Sequence, residues 1–85
     1  MNLYLISQTE NDGYEIYDSA VVAAESEEDA KRIHPGGCVL EKGRWTSNPD
    51  SWTWASSPKN VKAELIGMAA PFTKQGVILA SFNAG

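Results

Sequence analysis

Residues 19–37 read SAVVAAESEEDAKRIHPGG, and within them the chain changes from one kind of backbone to another. SAVVAAE, from Ser19 to Glu25, is apolar on both faces, which suits an inner strand better than an edge. Ser26 then offers a hydroxyl to a free backbone N–H of a first helical turn, with Asp29 as a short version of the reciprocal capping partner. Glu27, Glu28 and Asp29 put negative charge at the positive end of the helix dipole, and Lys31 and Arg32 put positive charge near the other end. Glu27 with Lys31 and Glu28 with Arg32 are both spaced for ion pairs worth ~0.2–0.5 kcal/mol each. Pro35-Gly36-Gly37 stops the helix, because proline disfavours helical geometry at His34 before it. A helix of about two turns whose apolar stripe is Ala30 and Ile33 does not hold alone, so it must lie on a sheet.

The rest of the sheet follows on either side. LYLIS (Leu3 to Ser7) alternates as a strand. The turn signal Asn11-Asp12-Gly13 joins it to the 19–25 strand as a hairpin. CVLEKG is a further short strand. VKAELIGMAA (Val61 to Ala70) starts with the alternation of a half-exposed strand. GVILASFNAG is apolar on both faces and reads as a second central strand. No repeat, low-complexity tract or linker interrupts the chain. The expectation is a single domain, residues 1–85, of the α+β class: an antiparallel sheet of about four strands with one short helix on one face.

So small a helix cannot cover both faces of such a sheet. The segment GRWTSNPDSWTWASSP, residues 43–58, holds all three tryptophans. Each indole can bury ~150–250 Å², at most about 4–6 kcal/mol apiece. The structural expectation is that this Trp-rich crossover covers the face opposite the helix. The functional expectation is an aromatic contact surface: Trp45, Trp52 and Trp54 with Arg44 beside them, joined by Tyr14 and Tyr17, since Trp, Tyr and Arg are the residues of interface hot spots. If the segment is extended, the period-2 spacing of Trp52 and Trp54 points both the same way.

Composition excludes several classes of function. Eleven Asp and Glu against seven Lys and Arg give a net charge of −4. That provides no positive field for a phosphate backbone, so no direct nucleic-acid partner is expected. One histidine and one cysteine are too few for a zinc site. ENDGYEIYD has acids at the wrong spacing for a calcium loop, and no phosphate-loop pattern occurs. His34 and Cys38 lack an orienting third group for nucleophilic catalysis. The expectation is no catalytic residue, no metal and no cofactor: not an enzyme. No basic segment followed by a long apolar run opens the chain, and no apolar run is long enough to span a bilayer, so no membrane association is expected. The lone Cys38 fits a reducing cytoplasm.

Three stretches, LYLISQ, YDSAVVAAESEEDAKRIHP and GVILASFNAG, together resemble a family of small, functionally uncharacterised proteins encoded by bacteriophages and prophages. The resemblance covers most of the chain, is weakest around the tryptophans, and carries no catalytic residues onto it. It implies a phage protein acting in the cytoplasm of a bacterial host. By analogy of role, the partner is a host bacterial protein and the function its inhibition, as by an anti-CRISPR or other anti-defence protein. A binder of a nucleotide signal and a structural accessory of the phage particle are the alternatives. The oligomeric state stays open: the closing strand could pair with a second copy in a homodimer, as exposed sheet edges tend to.

Overall fold

The computed structural model describes residues 1–11, 13–38, 40–45 and 51–83. Strands β1 (Asn2–Ser7) and β2 (Ile16–Ala24) form the expected hairpin, with Tyr4 opposite Val22 and Ile6 opposite Ala20. Gln8, buried where the strands part, closes the connection. Its Nε2 donates to the carbonyls of Asn11 at 2.8 Å and Tyr17 at 3.0 Å, and its Oε1 accepts from Asn11 N at 2.8 Å. Asp12, the middle of the turn signal, lies outside the described residues.

Helix α1 (Glu27–Lys31) starts as its sequence dictates: Ser26 Oγ accepts from Asp29 N at 3.1 Å. Lys31 reaches Glu27 at 3.3 Å, the one ion pair found among the described residues. The helix ends earlier than its proline requires, with Arg32 as its last cap. Its five residues span only ~7.5 Å.

A small hairpin follows, β3 (Leu40–Glu41) with β4 (Arg44–Trp45). Lys42 and Gly43, with φ of 51° and 78°, make the tight turn that a two-residue hairpin requires. The return strand is an addition to the single short strand expected from CVLEKG. Two turns of 3₁₀-helix, Ser51–Thr53 and Pro58–Asn60, lead into β5 (Lys62–Met68), and β6 (Gly76–Asn83) closes the sheet. The four long strands are all antiparallel, in the order β5-β1-β2-β6. The fold is α+β, as its sequence indicates.

Two expectations are corrected. β6 is an edge strand, not a central one: its inner neighbour is β2, and among the described residues no strand lies beyond it. The described part of the Trp-rich crossover, residues 43–45 and 51–58, does not cover the face opposite the helix. Ala30 of α1 and Trp54 of the crossover pack into one cluster with Tyr4, Ile6, Ala20 and Val22, which all project from the same side of the sheet. The physical reason is the helix's length. It covers one end of that face, and the small side chains of Ala20, Ala24 and Ala30 leave room beside it for an indole. The other face carries the row Glu64, Leu5, Val21 and Leu79, aligned across four strands by the register. No described element packs over that row, and Leu79 is 69% exposed.

Candidate functional surfaces

Each tryptophan has a different job. Trp54 is fully buried, and Asn11 Nδ2 donates to its carbonyl at 2.9 Å, tying the crossover to the first hairpin. Its own Nε1 is buried without a hydrogen-bond partner. Trp45 is half-buried. Its Nε1 donates to the Ala55 carbonyl at 2.8 Å, and its ring meets His34 edge-on, centroids 5.1 Å apart. Trp52 stands 53% exposed. The shared orientation expected of Trp52 and Trp54 does not occur, because Ser51–Thr53 is a 3₁₀ turn rather than extended chain.

The crossover is held down at a second point. Glu10 accepts from Ser56 N at 3.0 Å, Ser56 Oγ at 3.0 Å and Asn60 Nδ2 at 2.7 Å. The bond from the Ser56 backbone N–H, opposed by some desolvation and aided by the Ser56 hydroxyl and Asn60 amide, holds the Glu10 carboxyl below its ordinary value. Between this anchor and the tryptophans lies an open cleft of about 650 Å³, which Arg44, Trp45, Trp52 and Trp54 all line. Tyr17 is half-buried and stacks edge-to-face on Phe82 at 4.8 Å, lining a second hollow with Trp52. Tyr14 is exposed and borders neither. Four of the six aromatic and arginine positions picked from sequence therefore share one cleft, Trp52 links it to Tyr17, and Tyr14 stands apart.

His34 and Cys38 are both buried. His34 Nδ1 accepts from Gly36 N at 2.9 Å, so the ring serves the turn after the helix. A Cβ on Gly36 would come within 3.1 Å of that ring. Among the described residues, no three His, Cys, Asp or Glu side chains gather closely enough to hold a metal ion. No described helix is long and apolar enough to cross a membrane.

A larger surface went unread in the sequence. Every large apolar side chain between positions 65 and 82 is exposed: Leu65, Ile66 and Met68 on β5, Phe72 in the following loop, and Val77, Ile78, Leu79 and Phe82 on β6. Phe72 is the extreme case. It is fully exposed, and its φ is +67°. Thr73 N donates to the Ala70 carbonyl at 3.2 Å and Thr73 Oγ1 to the same oxygen at 2.6 Å, closing the turn Ala70-Pro71-Phe72-Thr73. Proline at its second position and positive φ at its third define a type II turn, whose third position favours glycine or asparagine. A bulky aromatic there is a backbone outlier. Pro71-Phe72 does not announce this in the sequence: without glycine or asparagine at the third position the pair reads as an ordinary type I turn.

Fold and surface together define a class: a small α+β protein with one sheet face covered by helix and crossover, and with exposed apolar side chains along β5, β6 and the loop between them. Compared with protein-family models, with curated proteins and with solved structures, the chain matches none.

Proposed function

We propose that this chain is a protein-binding module, a phage-encoded inhibitor of a bacterial host protein such as a component of an anti-phage defence system, and that Phe72 is its anchor. The observation that carries the reading is the placement of Phe72. A non-glycine residue at positive φ costs roughly 1–2 kcal/mol, and such strain persists at contact sites where it serves a purpose. Here it holds a phenyl ring entirely in solvent. Leu65, Ile66 and Met68 extend the apolar surface along the preceding strand, and aromatic anchors dominate protein interfaces. A net charge of −4 and a sequence resembling phage proteins support the setting.

The test is Phe72→Gly. Glycine relieves the turn, so the free protein should melt at the parental temperature or slightly above it. Affinity purification from host lysate should recover a specific protein with the parent and lose it with the variant. If the variant retains every protein that the parent retains, or if the parent retains none, the reading fails.

A second reading rests on the cleft. Trp45, the half-exposed Trp52 and the Arg44 guanidinium are the cleft groups that would stack on and pair with a planar anionic ligand, such as a nucleotide signal. Cyclic nucleotides that raise the melting temperature of the parent but not of Arg44→Ala would favour it.

A further inference from the structure

We propose that β6 pairs antiparallel with β6 of a second copy, joining two four-stranded sheets into one of eight. Independently of Phe72 and its partner, three observations on β6 converge.

The first is exposure on both faces at once. Val77 lies across from Val22, and Phe82 beside Tyr17, on the covered side of the sheet; Leu79 lies across from Val21 on the bare side. All three β6 residues are exposed. A body docked on either face of the sheet would bury one set and leave the other in water. A strand laid alongside buries parts of both.

The second is charge. Native edge strands are guarded by charged residues, lysine above all, or by proline. β5, the opposite edge, carries Lys62 and Glu64. β6 has neither charge nor proline in GVILASFN. In a chain of net charge −4, that edge is where two copies can approach without like charges opposed.

The third is the occupant's own pattern. A strand that covers β6 must itself be uncharged and apolar on both sides. β6 of a second copy meets that requirement, and a two-fold axis normal to the sheet closes the pairing after one partner. The alternation of GVILASFNAG, which reads as a central strand, is then correct for the dimer and wrong only for the isolated chain. Pairing β6 with β5 of the next copy would instead insert Lys62 and Glu64 into the seam and leave two edges free to grow a filament.

Two measurements on the full chain test this. Sedimentation should give twice the 9.2 kDa chain mass, falling to one chain on dilution. Hydrogen exchange should show the β6 amides that point away from β2 protected in the dimer and unprotected when diluted. The double variant Leu79→Lys with Ser81→Lys changes two exposed side chains, puts like charges across the seam, and should remain folded by circular dichroism with the single-chain mass. A parent that stays monomeric at millimolar concentration overturns the proposal. So do filaments, a dimer whose outward β6 amides exchange as a free edge does, and a dimer that survives the double substitution.

Discussion

At the scale of single residues, the three tryptophans separate by environment. Trp54→Ala removes a fully buried indole from a small core and should cost about 3–5 kcal/mol, enough to unfold much of the population; Trp54→Phe should cost less. Trp52→Ala removes a half-solvated ring and should fall within about 0.5–1 kcal/mol of the parent. Thermal melts of the pair decide this, and equal losses would contradict the burial described. Glu10 offers a second test. Its folded carboxyl lies below the ordinary value of 4.5. Its contribution is therefore complete above that value and is lost as pH falls through the depressed folded one. Parent and Glu10→Gln should differ in melting temperature at neutral pH and converge in acid, by a small amount because the group is exposed and screened. None of these differences shows in the composition of residues 43–58. The side chains are alike, and their neighbours, not their identities, sort them.

At the scale of the short elements, local chemistry decides. Ser26→Ala removes the acceptor that caps α1 and should cost about 1 kcal/mol. Gly43→Val forces a β-branched residue to φ 78° and should cost about 1–2 kcal/mol, releasing Trp45 from the hairpin; its loss of burial would appear as a red shift in emission. A Gly43→Val protein with parental stability and emission would show that the β3–β4 turn is not what seats Trp45. The cap was legible because Ser followed by acidic residues has one local meaning. The helix and the first hairpin were legible for the same reason. The β3–β4 return was missed: two residues per strand are too few to show an alternation, leaving Lys42-Gly43 as its only signal.

At the scale of the whole molecule, the two apolar regions should act independently. Phe72→Gly is expected to abolish partner capture and leave the dimer intact; Leu79→Lys with Ser81→Lys is expected to abolish the dimer and leave the fold intact. Effects of well-separated substitutions add, so the combined variant should be a folded monomer that captures nothing. Light scattering beside affinity capture reads both properties, and a coupled loss from either variant alone would show one surface where two are proposed. The chain by itself determined its class: period-2 alternation marks strands, a capped charged segment marks a helix, and the scarcity of His and Cys limits metal chemistry. Only the tertiary structure decided which side each element covers. Ala30 and Trp54 share a face because a helix of five residues is too short to fill it, and that is a matter of length and space between distant segments. The same holds for β6. Its two apolar faces can be read from its residues, but whether a neighbour lies beyond it depends on the strand order, which the alternation pattern does not encode.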